Sequence, residues 1–305
     1  MRRFFYATSD DINNNSDNEK GTTYPKLSTL PIEATVELTE NITHHWCRVL
    51  RANVGDKGVL FDGFGGEYKV QLKTISKKHA TATLLSHVAD NRTSATISKI
   101  GLVMSRGERM DYAIQKSTEL GVTAIQLLSS HHGEVNLKPA QVEKKLGHWQ
   151  QIAIAACEQC GLNRPPLILA PVSISDWLQS LDTSASDMTP GSASKISTQA
   201  NAVSAIVSAL SQDAYYQALQ QPADLRMQLS VPAAGQPVMP GKLLTVLQQT
   251  APYIELLVGP EGGLSPAECQ QADRAGFVAW QIGPRVLRTE TAPVVALATI
   301  QALSF

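Results

Sequence analysis

Cysteine is scarce in this chain, whose 305 residues include only Cys47, Cys157, Cys160 and Cys269. So low a count excludes the disulfide framework of a small secreted protein. Long apolar runs are lacking too, since none reaches the roughly 18–20 residues that span a bilayer. The first residues, Met1 to Tyr6, are followed by polar ones and show no signal-peptide core. We therefore expect a cytoplasmic protein that does not insert into a membrane.

An excess of charge of one sign is also missing. Lys and Arg together number 26 and Asp and Glu 27, so the formal net charge is −1. The chain as a whole therefore lacks the excess of basic side chains that is common in nucleic-acid-binding proteins. Locally the charges separate, because residues 41–80 carry seven basic and three acidic side chains. That stretch is interpreted either as the solvated face of a small β domain or as a surface for nucleic-acid phosphates.

Two patterns of secondary structure divide the chain near residue 90. Residues 1–90 contain short alternating segments, which predict a small barrel or sandwich of strands. Residues 91–305 alternate strands with helices, which favours an α/β fold with a parallel sheet. Two polar segments interrupt these patterns, an Asn-rich one at 10–25 and a Ser-, Ala- and Thr-rich one at 182–215. We interpret the second as a flexible or partly helical insertion.

A glycine-rich bend, Gly259-Pro260-Glu261-Gly262-Gly263, follows the predicted strand at 254–258. The helix after it is expected to begin with a capping box, formed by Ser265 and Glu268 around Pro266. Ligands of α/β proteins bind at such strand-to-helix bends, and glycine lets the backbone approach them closely. The alternative is a tight connection that binds nothing.

A second bend, residues 283–291, carries Arg285 and Arg288 directly before the last predicted helix. The amino end of a helix disfavours cations, so these arginines indicate a bound anion such as a phosphate or an anionic base. The alternative is a surface ion pair between Arg288 and Glu290.

Other motifs are less specific. The charged loop at 104–111 leads from a strand into a helix, and substrate contact and simple solvation explain it equally well. Cys157 and Cys160 lack a second cysteine pair and stand at the end of a helix, so we interpret them as structural rather than as redox or zinc ligands. The two His-His pairs lack metal-ligand spacing. No metal site is predicted.

Six segments, taken in order, resemble the RsmE family of 16S rRNA (uridine-N3) methyltransferases in the SPOUT superfamily. They are His45 with 48–51, 61–63, 115–121, 149–161, 257–264 and 283–291. The last two contain the bends described above and are the most specific. The resemblance covers nearly the whole chain apart from residues 10–25 and 182–215. It departs from the family near Val231, where a histidine is usual, and at Ala292-Pro293.

The resemblance implies a fold, a donor and a substrate. The fold is a PUA-like β-barrel over residues 1–90 that helps bind RNA, followed by a SPOUT methyltransferase domain over 91–305 with a C-terminal trefoil knot. The protein would work as a homodimer. Its methyl donor would be S-adenosylmethionine, and its acceptor N3 of a specific uridine in the 16S ribosomal RNA of the small subunit.

Candidate site residues follow from the bends and from the resemblance. Arg288 and Arg285 are candidates for stabilising the charge that spreads onto O2 and O4 when uracil N3 loses its proton, and Glu261 or Glu290 for accepting that proton. The residues expected to hold the donor are Leu229, Val258, Gly259, Pro260, Glu261, Gly262, Gly263, Ile282, Gly283, Val286, Leu287, Arg288 and Thr291. The candidate RNA-binding side chains are Arg48, Arg51, Lys57, Arg106, Arg109, Lys116 and Arg164.

Three other functions are compatible with these motifs. The chain could be a non-catalytic RNA-binding protein of the same fold, a SPOUT methyltransferase of ribose 2′-hydroxyls, or a nucleotide-binding α/β protein. Calorimetry with S-adenosylmethionine distinguishes a non-catalytic RNA-binding protein from an enzyme. Mapping of the transferred methyl group distinguishes a ribose 2′-hydroxyl methyltransferase from one that acts on uridine N3.

Overall fold

The computed structural model of the protein describes residues 1–8, 24–182, 202–231 and 239–304. The chain divides into two units. The first comprises Met1–Thr93, Ile154–Pro165 and Ala200–Asp213, and the second comprises the remaining segments. The predicted boundary at residue 90 lies close to Thr93, but the first unit also takes in two later segments that the sequence patterns did not assign to it.

The first unit is built on a five-stranded sheet. Its strands are β1 (Arg2–Phe5), β2 (Thr35–Glu37), β3 (Lys57–Phe61), β4 (Glu67–Ile75) and β5 (Ala80–Val88). Their order in the sheet is β1-β3-β4-β5-β2. Strand β1 pairs in parallel with β3, and the other pairs are antiparallel. The short alternating segments of the sequence are therefore strands, as predicted.

A helical segment inside this β-rich region was not predicted. Helix α1 (Glu40–Ile42) starts at Thr39, whose side chain accepts a hydrogen bond from the Ile42 backbone, and continues as a π-helical turn over Thr43–Val49. Its Trp46 is buried and stacks on Phe4, with 4.9 Å between the ring centroids. A β-carbon at Gly58 would lie 2.6 Å from this indole, so the core requires a glycine there.

An ion cluster holds the first unit together around Glu67, which is only 6% exposed. Arg3 and Arg92 both pair with its Oε2 atom, and both also donate to the carbonyl oxygen of Gly161. Burial alone raises the pKa of Glu67, but the hydrogen bonds from the two arginines outweigh burial, so the pKa lies below its ordinary value. Strands β1 and β4 are thereby joined to the segment that contains Gly161.

We expect Glu67→Ala to lower the free energy of unfolding by about 3 kcal/mol, because it leaves the buried Arg3 guanidinium without a counter-charge. Urea denaturation measures this difference. The control variant Glu40→Ala removes an exposed carboxylate from the same unit and should change the free energy by less than about 0.5 kcal/mol. Equal losses in the two variants would contradict a special role for the cluster.

The second unit is built on a six-stranded sheet. Its strands are β6 (Ile97–Val103), β7 (Ala124–Ser129), β8 (Leu167–Ser173), β9 (Leu225–Leu229), β10 (Tyr253–Val258) and β11 (Phe277–Trp280). They lie in the order β11-β9-β10-β6-β7-β8, and every neighbouring pair is parallel. This confirms the parallel sheet predicted from the alternation of strands and helices.

Eight further α-helices lie in the described ranges. They are α2 (Glu108–Glu119), α3 (Pro139–Cys160), α4 (Ile174–Asp182), α5 (Ala202–Ser211), α6 (Ala214–Gln217), α7 (Leu243–Leu247), α8 (Pro266–Arg274) and α9 (Ala292–Leu303). Gly121 follows the C-cap residue Leu120 of α2 and has a φ of +75°, a conformation that glycine often adopts where a helix ends. None of the helices in the described ranges is both long and apolar enough to cross a membrane.

Strand β10 lies at the centre of this sheet and is buried along its whole length. Its single charged residue, Glu255, is 2% exposed and pairs with Arg226 of β9 at 2.8 Å and with Lys99 of β6 at 3.5 Å. The hydroxyl of Tyr253 also donates to it, at 2.7 Å. The buried carboxylate is thus compensated by neighbours on both adjacent strands, as a charge in a sheet interior must be.

Strand β11 ends at Trp280, shortly before the second bend. One prediction needs completion. In the predicted insertion at 182–215, residues 183–201 lie outside the described residues, but the part after them is helical, since α5 covers Ala202–Ser211. Leu210 of this helix is fully buried in the first unit, and its side chain lies over Gly63. This part is therefore integral to the fold.

Candidate functional site

A cavity of about 480 Å³ opens at the carboxyl ends of β9, β10 and β11 in the second unit. Because the three strands are parallel neighbours, the segments that follow them meet at one edge of the sheet. The cavity is lined by Gln228, Leu229, Ser230, Val231, Val258, Gly259, Pro260, Glu261, Gly263, Leu264, Cys269, Trp280, Ile282, Arg285, Val286, Leu287, Arg288, Thr289 and Ala292. Both predicted bends are in this list, so the structure brings them together.

The first bend owes its shape to two of its glycines. Gly263 has a φ of +73°, a conformation that side-chain-bearing residues rarely adopt, and its backbone N–H donates to the Pro260 carbonyl at 2.9 Å. A β-carbon at Gly259 would come within 3.2 Å of the Leu264 side chain. The chain therefore turns sharply at the end of β10, and four of the five residues of the bend line the cavity.

Helix α8 begins directly after this bend with the predicted capping box. The Ser265 hydroxyl accepts a hydrogen bond from the Glu268 backbone, and the Glu268 carboxylate accepts one from the Ser265 backbone, at 2.7 Å. The other oxygen of Glu268 accepts from the backbone N–H of His131 at 2.8 Å. One carboxylate thus joins the loop after β7 to the first turn of α8.

The pKa of Glu268 reflects these contacts. Burial raises it, but the backbone hydrogen bonds from His131 and Ser265 stabilise the ionised form more strongly, so the pKa lies below its ordinary value. The neighbouring His132 ring nitrogen Nδ1 lies 3.1 Å from the carbonyl oxygen of Gly263. The loop after β7 is therefore a support for the glycine-rich bend.

The second bend presents its arginines outward. The Arg288 side chain is 81% exposed, and its Nη1 atom lies 3.9 Å from Oε1 of Glu290, too far for a hydrogen bond. Arg285 is exposed and has no hydrogen-bond partner within the described part of the chain. The surface-pair alternative for Arg288 thus corresponds to a long, solvated contact of little energetic value. Both guanidinium groups are available to an anion at the cavity.

Most residues predicted to hold a donor lie in the cavity wall. The exceptions are Gly262, Gly283 and Thr291, which belong to the two bends but do not line the cavity. Eight wall residues were not among the candidate site residues: Gln228, Ser230, Val231, Leu264, Cys269, Trp280, Thr289 and Ala292. The Ser230 hydroxyl oxygen is buried and has no hydrogen-bond partner among the described residues. A polar group of a bound ligand would satisfy it.

The charged loop at 104–111 contacts the first bend. Arg109 donates from Nη1 to Oε1 of Glu261 at 2.8 Å, with side-chain exposures of 47% and 32%. Arg106 donates to the carbonyl oxygen of Glu134 and lies 3.6 Å from its carboxylate. The carboxyl ends of β6, β7 and β10 are thus connected to one another by loop contacts.

The other basic candidates occupy different environments. Arg48, Arg51 and Lys57 are exposed in the first unit, beside the exposed apolar side chains of Val49 and Val54. In the second unit, Lys116 forms an ion pair within its own helix.

Arg164 is 11% exposed and is held by Asp213 at 2.6 Å and by the Phe64 carbonyl at 3.0 Å. These contacts place its guanidinium inside the first unit. We therefore do not include Arg164 in the proposed RNA-binding surface. Cys157 is also buried there, which raises its pKa well above the ordinary value and fits a structural role. Within the described ranges, no group of three or more His, Cys, Asp or Glu side chains is arranged to hold a metal.

Comparison with known proteins gives consistent matches along the chain. The family model described as an RNA methyltransferase domain matches residues 93–212 and 198–301, and an RNA methyltransferase PUA domain matches 38–85. Ribosomal RNA small subunit methyltransferase E of Buchnera aphidicola subsp. Schizaphis graminum is 27% identical over 274 residues, covering 89% of this chain and 92% of the relative. The protein of that name from Synechocystis sp. is 31% identical, over 89% of this chain and 74% of the relative.

A solved structure extends the likeness to the fold. Ribosomal RNA small subunit methyltransferase E from Neisseria gonorrhoeae, bound to S-adenosyl methionine, is 29% identical with a TM-score of 0.68, over 99% of this chain and 98% of that one. The sheet, the cavity at its edge and the domain matches define the class, an RNA methyltransferase with a PUA domain. Within that class the chain belongs to the ribosomal RNA small subunit methyltransferase E family, which confirms the resemblance seen in the sequence.

We expect Glu268→Gln to lower the free energy of unfolding by about 1–2 kcal/mol near neutral pH, because one backbone N–H loses its charged acceptor. Since folding lowers the pKa of Glu268, its contribution is present above the ordinary pKa of about 4.3 and is lost as the pH falls through the lowered value. Urea denaturation between about pH 7 and pH 3 should therefore show the two proteins converging in stability.

The matched control is Asp273→Asn, an exposed carboxylate on the same helix. It should change the free energy of unfolding by less than about 0.5 kcal/mol at each pH. A constant gap between Glu268→Gln and the unsubstituted protein at all pH values would contradict the assigned role of the Glu268 charge.

Proposed function

We propose that the protein is an S-adenosylmethionine-dependent methyltransferase that modifies N3 of a specific uridine in the 16S ribosomal RNA of the small subunit. The observation that carries the proposal is the convergence of the two bends, 259–263 and 283–291, in one cavity at the carboxyl edge of a parallel sheet. Family membership and the S-adenosyl methionine bound to the Neisseria gonorrhoeae relative support it.

The residues at the cavity fit such a donor. Leu229, Val258 and Leu287 supply apolar walls for the adenosyl group, and the backbone of the two bends supplies hydrogen-bonding groups beside them. The buried Ser230 hydroxyl offers a further polar contact. When bound, S-adenosylmethionine supplies a methyl group on a positively charged sulfur, which a nucleophile displaces in line.

The acceptor imposes its own requirements. Uracil N3 lies on the Watson–Crick edge, so the base must be unpaired or flipped out before it can react. Loss of the N3 proton would leave negative charge spread over O2 and O4. That charge would be consumed as N3 bonds to the methyl carbon and the bond from this carbon to the donor sulfur breaks. Arg285 and Arg288, exposed at the cavity, are placed to stabilise that charge.

A carboxylate is proposed to take the N3 proton. Glu261 lines the cavity but is paired with Arg109. Glu290 has a buried Oε2 atom without a hydrogen-bond partner among the described residues, but it does not line the cavity. Glu261 is therefore at the cavity but is engaged in an ion pair, whereas Glu290 has an oxygen without a partner in the described ranges but is not in the cavity wall. Each meets one requirement of a general base, so both stay candidates.

RNA binding is assigned to both units. In the first unit, Arg48, Arg51 and Lys57 are exposed within or beside the region matched by the PUA model. In the second, Arg106, Arg109 and Lys116 lie on the loop and helix that follow β6.

The assembly and topology implied by the family complete the proposal: a cytoplasmic homodimer with a C-terminal trefoil knot and a barrel-like PUA unit. Strand β11 lies at the edge of the sheet beside β9, while the following helix α9 packs against α2, α7 and β10.

The proposal is tested by supplying the purified protein with S-adenosylmethionine and with small subunits from a strain that lacks it. Mass spectrometry of the digested RNA should show 3-methyluridine. A methyl group on a ribose 2′-oxygen would favour the alternative SPOUT activity, and the absence of transfer with intact donor binding would overturn the assignment of the acceptor.

We expect Arg288→Ala to lower the methylation rate by about 100-fold or more, because it removes a cation that acts on charge developing in the transition state. The dissociation constant for S-adenosylmethionine, measured by calorimetry, should change by less than about threefold. Arg274→Ala, at the far end of α8, is the matched control and should methylate at the unsubstituted rate. An active Arg288→Ala enzyme would remove this residue from the mechanism.

We expect the double substitution Arg48→Glu with Arg51→Glu to weaken RNA binding and to flatten the dependence of affinity on salt, because fewer phosphate contacts release fewer counterions. Filter binding at several salt concentrations measures both effects. The control, Lys138→Glu with Lys144→Glu, makes the same charge change on exposed residues of the second unit. An unchanged salt slope in the first variant would exclude these arginines from the interface.

A further inference from the structure

One wall residue of the cavity is held by a partner outside it. Glu261 lines the cavity, whereas Arg109, which donates to its carboxylate at 2.8 Å, stands at the start of α2 and is not part of the wall. The contact is long-range in sequence, joining residues 152 positions apart. Arg109 therefore holds the charged group of a wall residue without being part of the wall itself.

The charges of the wall give this contact its significance. Among the lining residues within the described ranges, Glu261 is the single acidic side chain, and Arg285 and Arg288 are the basic ones. The ion pair with Arg109 compensates the negative charge of Glu261. The cavity as folded thus presents little uncompensated negative charge to a ligand.

The two ligands that the proposed reaction alternates between differ in charge at one atom. The methyl donor has a positively charged sulfonium sulfur, and the product left after transfer has a neutral thioether at the same place. A cavity of about 480 Å³ is comparable in width with the Debye length of about 8 Å at physiological salt, so a charge in its wall acts on a bound ligand with little screening. An uncompensated carboxylate would therefore favour the donor over the product.

Such a preference would slow the reaction rather than assist it. Positive charge leaves the sulfur as the methyl group departs, so a carboxylate that holds the sulfonium stabilises the ground state more than the transition state. Compensation of Glu261 avoids this loss. The ion pair between Arg109 and Glu261 thereby keeps the cavity from stabilising the donor more than the transition state.

We propose that Arg109 is a specificity-determining residue that, through its ion pair with Glu261, limits the preference of the cavity for the sulfonium donor over its thioether product. This inference rests on the proposed function, because it requires the cavity to bind both compounds. Arg109 is a positioning residue in this role, since it acts on the ligand through Glu261.

The test is calorimetric titration of the purified full-length protein with S-adenosylmethionine and, separately, with S-adenosylhomocysteine. No RNA is present, so any contact of Arg109 with RNA does not enter the result. The quantity compared is the dissociation constant of the thioether divided by that of the sulfonium. In Arg109→Gln we expect this ratio to rise about fivefold, the scale of one unit charge acting over a few ångströms in a water-like medium.

Two further variants make the result specific. Arg274→Gln removes an exposed arginine from the far end of α8 and should change the ratio by less than about twofold, because its charge is remote from the cavity. Adding Arg109→Gln to a Glu261→Gln protein should also change the ratio by less than about twofold, because the carboxylate through which Arg109 acts is gone.

Two results would overturn the inference while leaving the proposed function intact. One is an unchanged ratio in Arg109→Gln, and the other is an equal rise in the presence and absence of Glu261. Failure of the unsubstituted protein to bind either compound would overturn the proposed function and this inference with it.

Discussion

The parallel pairing of β9 with both β10 and β11 is the constraint on which the site depends. It places the segments after Leu229, Val258 and Trp280 at a single edge, and the cavity is formed by those three segments. The pairing survives a charge at the centre of the sheet because Glu255 of β10 is compensated by Arg226 of β9 and Lys99 of β6. The same ion pairs that compensate the buried charge of Glu255 also join β10 to β9 and β6.

The parts of the site that are local in sequence could be predicted from it. A strand followed by Gly259 to Gly263 indicates a bend near a ligand, and the capping box of Ser265 and Glu268 is complete within four residues. The missed wall residue Ser230 shows the limit. Leu229 beside it was expected to hold the donor from the family resemblance, but no local motif marks Ser230 itself. Its place at the cavity follows from the pairing of β9 with β11, since the Ser230 backbone N–H donates to the Trp280 carbonyl at 3.1 Å, and strand order is a long-range property.

Single charged residues were the least predictable element. Arg164 and Arg48 have the same chemistry in the sequence, but Arg164 meets Asp213, 49 residues later, inside the first unit, while Arg48 meets solvent. The helical turn around Trp46 was missed for a related reason. Its burial depends on the space above Gly58, which a local pattern does not reveal. In both cases the deciding partner is distant along the chain.

The first unit is assembled from three separate stretches of the polypeptide, which affects the order in which it can fold. A fragment that stopped at Thr93 would lack Gly161, the carbonyl shared by Arg3 and Arg92, and would lose the apolar cover that Ile154 and Leu162 give to Phe61. The core beneath the amino-terminal sheet is complete within residues 4–84, whereas the cluster around Phe5 and Phe61 forms only when residues 154–162 are in place. The unit is therefore finished only after helix α3 has been synthesised.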